Sequence, residues 1–151
     1  MRKPTIHATC VVIDGRGVLL RGPSRAGKSR LALHFIDNAP TAGRLACLVG
    51  DDRVYVEPED GRLVAHVPGT IAGLVERRGA GIEAIAYQPS APIALVVDIL
   101  TDAEFTRLAC KNADRILLEG LEIPHLFVPR DFERAVGLIE ATLPLIDGEN
   151  R

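Results

Sequence analysis

Tryptophan is absent from this 151-residue chain, and the other aromatics are few, Tyr 2 and Phe 4. That excludes a platform of exposed rings for stacking nucleic-acid bases. Charge of one sign is also lacking. The formal net charge is −2 and the pI ≈ 6.1, so no general basic field exists to hold nucleic acid or an anionic membrane. Cysteine numbers 3, at Cys10, Cys47 and Cys110, with no CxxC pair. Such scattered thiols read as small buried side chains rather than zinc or redox ligands. No apolar run approaches the ~20 residues of a membrane span. The short run at residues 10–13 follows a basic start and stops at Asp14, too soon for a signal sequence. The expectation is a cytoplasmic, reduced protein that binds neither nucleic acid nor membrane.

What is present is ordinary for a globular domain: 47% apolar and 25% charged residues. The length suits one domain spanning residues 1–151, built on Leu, Val, Ile and Ala and punctuated by Gly 14 and Pro 10. Residues 10–13 and 18–20 read as strands joined across Asp14-Gly15-Arg16-Gly17. Residues 28–38 space Leu31, Ala32, Phe35 and Ile36 as a helix, ended by Asn38-Ala39-Pro40-Thr41-Ala42-Gly43. Residues 45–49 and 93–100 read as buried strands. Residues 53–56 and 62–67 read as a hairpin about Pro58-Glu59-Asp60-Gly61. Ala135, Leu138, Ile139 and Thr142 trace one face of a last helix. Strands mixed with a few helices predict one α/β domain.

The sharpest signal is Gly22-Pro23-Ser24-Arg25-Ala26-Gly27-Lys28-Ser29, which fits G-x-x-x-x-G-K-[ST] between a strand and a helix. Glycines let main-chain amides turn toward phosphate oxygens, and the helix start adds partial positive charge. Lys28 can reach the outer phosphates, and the Ser29 hydroxyl can ligate Mg²⁺. All eight residues are thus candidates for nucleotide binding, with Arg25 either adding charge or crowding the loop.

Phosphoryl transfer also needs an acid beside the metal and a group to orient the nucleophile. Two apolar runs end in acid: one at Asp51-Asp52, the other at Asp98. Asp98 has the look of the metal-side acid of an ordinary NTPase. Adjacent carboxylates at a strand end point to opposite faces, so only one of Asp51 and Asp52 need face the phosphates. By itself each site is as consistent with a turn. Glu76-Arg77-Arg78-Gly79-Ala80-Gly81-Ile82 reads as a flexible anion-binding segment or an ordinary solvated loop.

Together these pieces resemble the catalytic domain of the HPr kinase/phosphorylase family. The resemblance rests on His7, the loop Gly22 to Ser29, Asp51-Asp52, and the E-x-R-G-x-G-I-like stretch from Glu76 to Ile82, in the family's order and spacing. It implies a P-loop α/β fold with a mixed, partly antiparallel sheet and a phosphoenolpyruvate carboxykinase-like nucleotide-binding core. The implied activity is ATP- and Mg²⁺-dependent phosphorylation of a serine on an HPr-like phosphocarrier, with reversal as a second activity. The implied roles are Lys28 on the phosphates, Ser29 and Glu76 on Mg²⁺, and Asp51 as proton acceptor. His7 corresponds to the active-site histidine, and Arg107, in Phe105-Thr106-Arg107-Leu108, to the catalytic arginine. Asp52 and Arg78 have supporting roles. His34, His66 and His125 match no family position.

Several positions depart from the family pattern. The chain begins almost at His7, as in a short form consisting of the catalytic domain. Arg25 stands where the family has Gly, and Arg30 where it has an acid. Val128-Pro129-Arg130-Asp131-Phe132-Glu133-Arg134 lacks the glycine of the loop linked to phosphorolysis, which favours the kinase over the reverse activity. The C-terminal helix of longer members is altered, which loosens the expectation of a homo-oligomer such as the family's hexamer. Two rivals remain: a non-catalytic ATP-sensing module, and a small-molecule kinase or NTPase with Asp98 as metal ligand.

Overall fold

The computed structural model describes residues 4–108 and 115–146; Cys110 lies outside them. In chain order the elements are β1 (Ile6–Ile13), β2 (Arg16–Arg21), α1 (Lys28–Asn38), β3 (Ala46–Gly50), β4 (Arg53–Glu59) and β5 (Arg62–His66). A short 3₁₀ turn at Gly69–Ile71 leads to β6 (Leu74–Arg77), β7 (Gly81–Ala84), β8 (Ser90–Leu100) and α2 (Asp102–Leu108). The described chain finishes with β9 (Arg115–Leu118), β10 (Leu121–Pro129) and α3 (Phe132–Ile146). No helix among the described residues is long and apolar enough to cross a membrane.

The strands form an 8-stranded sheet in the order β2-β1-β4-β5-β8-β10-β9, with β3 beside β1. β2 also pairs with β8, which closes β1, β2, β8, β5 and β4 into a ring. The β2–β8 and β8–β10 pairs are parallel and the others antiparallel, so the sheet is mixed, as expected. Asp14-Gly15 and Asp60-Gly61 make the tight hairpin turns. All four residues take positive φ, a backbone that favours Asp and Gly and matches the strand twist.

β1, β2 and β8 are buried on both faces, which is why they read as continuous apolar runs rather than alternating ones. Val11, Ile13, Val18, Leu20, Leu95 and Val97 pack outward against Leu31, Ala32 and Phe35 of α1 and Ile139 and Leu143 of α3. Ala8, Cys10, Val12, Leu19, Val54, Leu63 and Val96 fill the inside of the ring. Each fully buried Leu, Ile or Val contributes ~1.5–3 kcal/mol of hydrophobic stabilisation. Burial, with Cys47 nearby, pushes the Cys10 thiol up to about 12, in keeping with a packing role.

Two expectations need correction. Leu45 is no part of the buried strand: β3 starts at Ala46, and Leu45 is 82% exposed, its amide donating to the Asp14 carboxylate (2.9 Å). The stretch from Glu76 to Ile82 is a two-stranded hairpin, not a flexible loop, because Val75 buries itself against Leu33 and Leu48. In the stretch from Val128 to Arg134, β10 ends at Pro129, Arg130 and Asp131 form a short link, and α3 begins at Phe132, where the Asp131 carboxylate accepts the Arg134 amide (3.3 Å) as a helix cap.

Candidate functional site

Parallel pairing of β2 with β8 and of β8 with β10 sends all three strand ends to one edge of the sheet. Open α/β sheets gather ligand groups at such an edge. β2 runs into the glycine loop, and the loop into α1, whose N-cap is Gly27 at φ 104 with no side-chain cap. The first amides of α1 are therefore not taken by a capping side chain and face the loop, the arrangement that accommodates an anion. Lys28 is 5% exposed; its ammonium donates to the carbonyls of Gly22 (2.7 Å) and Pro23 (3.1 Å), folding it back over the loop. Burial pulls the Lys28 ammonium below its ordinary value, against the opposite pull of Asp52 and Asp51. Arg25 holds φ 70, a left-handed backbone costly for a side chain with a Cβ.

The two neighbouring acids split as strand geometry requires. Asp51 turns inward and is 8% exposed. Its Oδ1 accepts from Ser29 Oγ (2.5 Å) and Thr9 Oγ1 (2.9 Å), and its Oδ2 from the Glu76 amide (2.9 Å). One carboxylate thus ties together β1, α1 and the β6–β7 hairpin. Asp52, at φ 69, turns outward and takes His7 Nε2 at 2.5 Å; both are about half exposed. Thr9 serves both acids, since its hydroxyl oxygen also accepts the Asp52 amide (3.1 Å). Thr9 is a residue the sequence reading missed; only the register of β1 against the Asp51-Asp52 turn reveals it.

Ser29 and Asp51 offer only oxygen donors, converging within hydrogen-bond distance, a set that suits a hard cation such as Mg²⁺. Glu76 reaches this corner through its main chain, and its side chain is exposed. Arg78 is exposed at the tip of the β6–β7 hairpin. The neighbouring Arg77 clamps that hairpin, pairing with Glu83 (2.6 Å) and with Asp37 at the end of α1 (3.2 Å). Arg107 is exposed on α2, which leaves β8 at the same edge as the glycine loop.

Asp98 has other partners. It lies opposite Arg21 in the β2–β8 ladder and takes that guanidinium through two bonds (2.8 and 2.7 Å). His125 Nε2 meets its second oxygen at 2.7 Å, from a ring that is nearly buried. Burial acts to raise the Asp98 carboxyl, but the bonds from His125 and Arg21 prevail and hold it below its usual range. This acid is engaged in a three-strand ionic link, and the carboxylate that meets Ser29 is Asp51.

A strand, a glycine loop with a buried lysine, and a carboxylate on the following serine mark this corner of a mixed α/β domain. The chain belongs to the family described as HPr Serine kinase C-terminal domain, which matches residues 1–144. It is 30% identical over 152 residues to an HPr kinase/phosphorylase of Mycoplasma mycoides, covering 91% of this chain and 46% of that one. It is 32% identical over 148 residues to an HPr kinase/phosphorylase of Limosilactobacillus reuteri, covering 91% and 44%. The chain thus spans under half the length of these relatives. The solved HPr(Ser) kinase/phosphatase from Coxiella burnetii superposes with a TM-score of 0.76 at 27% identity, covering 95% of each chain.

Proposed function

We propose that this domain is a serine protein kinase, dependent on ATP and Mg²⁺, that phosphorylates an HPr-like phosphocarrier. The observation that carries the reading is Ser29 Oγ on the Asp51 carboxylate at 2.5 Å, beside a loop that folds Lys28 inward. In this reading residues 22–29 form a P-loop on a phosphoenolpyruvate carboxykinase-like core, and their amides with Lys28 hold the phosphates. Beside the Asp51 carboxylate, Ser29 and Glu76 would hold Mg²⁺, which supplies neutralisation of charge on the phosphate oxygens. Asp51 receives the proton of the acceptor serine, His7 and Asp52 orient that serine, and Arg107 and Arg78 add cations at the transferred group. Catalysis is positioning and preorganised charge rather than covalent chemistry.

One observation favours a variant of this scheme: Asp52, with His7, borders the open cavity beside Ser24, whereas Asp51 is enclosed by three donors. Incubation with labelled ATP, Mg²⁺ and an HPr protein tests both. Wild type is expected to produce phosphoserine. Asp51→Asn should lower kcat by about 10²–10⁴-fold, with nucleotide bound within a few-fold of wild type. Loss confined to Asp52→Asn transfers the proton-acceptor role to the Asp52–His7 pair. A chain that binds ATP but labels no phosphocarrier refutes the kinase reading.

A further inference from the structure

We infer that an open groove leading from the phosphate loop past Arg53 to Ile71 receives the acceptor protein, and that Arg53 there pairs with a carboxylate flanking the acceptor serine. This rests on the kinase reading and deepens it by naming how the protein substrate is recognised.

Two cavities carry the inference. One, of about 430 Å³, is bordered by Ser24 of the glycine loop, by His7 and Asp52, and by Thr5 and Arg53. The other, of about 600 Å³, is bordered by Tyr55, Pro68, Thr70 and Ile71, and again by Thr5 and Arg53. The two share Thr5 and Arg53 and so lie side by side, as the two ends of the proposed groove. Its near end touches the loop that would hold the nucleotide phosphates; its far end lies on β4 and the 3₁₀ turn. A protein segment whose serine reaches the first cavity has its neighbouring residues in the second.

Arg53 stands at the junction. It is the direct cross-strand partner of His7 in the β1–β4 ladder, so the two side chains rise from the same face. His7 is committed to Asp52, whereas Arg53 is exposed and makes no ion pair among the described residues. A guanidinium offers several donors in a planar fork matched to a carboxylate. Further along, Tyr55, Pro68 and Ile71 supply apolar surface and Thr70 an exposed hydroxyl, a lining that suits a peptide better than a small polar metabolite. The occupant is therefore a segment of a protein, with an acid near its serine.

The test measures KM and kcat for an HPr protein, together with the Kd for ATP, in wild type, Arg53→Glu and Thr70→Trp. Both variants lie on exposed positions, and thermal midpoints check that they fold. KM for HPr should rise about tenfold in each while kcat falls less, and the Kd for ATP should stay unchanged. An HPr variant with lysine in place of the acid nearest its serine should recover the loss with Arg53→Glu and not with Thr70→Trp. An unchanged KM in an active enzyme overturns the groove and leaves the kinase reading intact. So does a weakened Kd for ATP, which would assign Arg53 to the nucleotide, or a charge-swapped acceptor that recovers nothing. Transfer to a small hydroxyl compound but to no HPr protein overturns both.

Discussion

Replacing Asp98 by alanine separates the two acids that compete for the metal-side role. In the folded chain Asp98 takes both arms of Arg21 and the ring of His125, joining β2, β8 and β10 at the edge where the glycine loop begins. Removing one partner of a buried ion pair costs ~3–5 kcal/mol, because the remaining charge stays desolvated. Here the Arg21 and Asp98 side chains keep 27% and 20% of their exposure, so solvent screens part of that. The working value is ~2–4 kcal/mol. For a chain of this length that lowers Tm by about 5–15 °C. The sign with pH follows from a carboxyl held below its usual range. Such a group contributes fully above the unfolded carboxylate value of ~3.9, and the contribution disappears as pH falls through the lower folded value. The gap in Tm between wild type and Asp98→Ala should therefore be widest near neutral pH and close below about pH 4. Thermal denaturation at several pH values measures it, and titration with Mg²⁺ and ATP should give affinities within a few-fold of wild type. An unchanged Tm combined with loss of Mg²⁺-dependent nucleotide binding would refute the argument and make Asp98 the metal ligand.

Two further substitutions probe the backbone that shapes the site. Arg25→Gly relieves a side chain held at φ 70, a strain of ~1–2 kcal/mol, against ~0.5–1 kcal/mol of extra chain entropy in glycine. The net expectation is a gain of up to ~1.5 kcal/mol, seen as a Tm higher by a few degrees; a lower Tm contradicts it. Gly73→Ala should act in the opposite sense. Gly73 has φ +74, and a Cβ there would stand 2.9 Å from the Tyr87 ring and 3.1 Å from the Ile85 carbonyl. A loss of ~1–3 kcal/mol is expected, with weaker Mg²⁺-dependent nucleotide binding as the β6–β7 hairpin and its amide bond to Asp51 shift. Chemical denaturation and nucleotide titration check both effects, and wild-type values in each count against the role given to the hairpin.

Much of the site was legible in the sequence because its signals are local. The glycine loop carries its own spacing, α1 its apolar face, and the Asp51-Asp52 pair the alternation that sends one acid in and one out. Other features depended on pairing across the chain. Thr9 is one polar residue in an apolar strand until β1 is set against residues 51 and 52. Arg21 and His125 become partners of Asp98 only through the β2–β8–β10 register. The β6–β7 hairpin escaped notice because its strands are four residues each and Leu74 and Ile82 face outward, so no buried alternation marks it. β10 was hidden by Glu122 and Pro124, which interrupt its apolar run.

The strand ring also sets a schedule for biosynthesis. β2 emerges early, yet its parallel neighbour β8 does not begin until Ser90, and β10 ends only at Pro129. On a translating ribosome the glycine loop is made long before the strands that flank its base. Until they arrive, β2 presents an unpaired edge of Val18, Leu19 and Leu20 to the surroundings. Contacts so distant along the chain are slow to form, since the intervening segment must first be gathered in. The flanks of the glycine loop are thus completed late. A nascent chain arrested before β8 would be an aggregation-prone fragment with the motif in its sequence but no cradle in its structure.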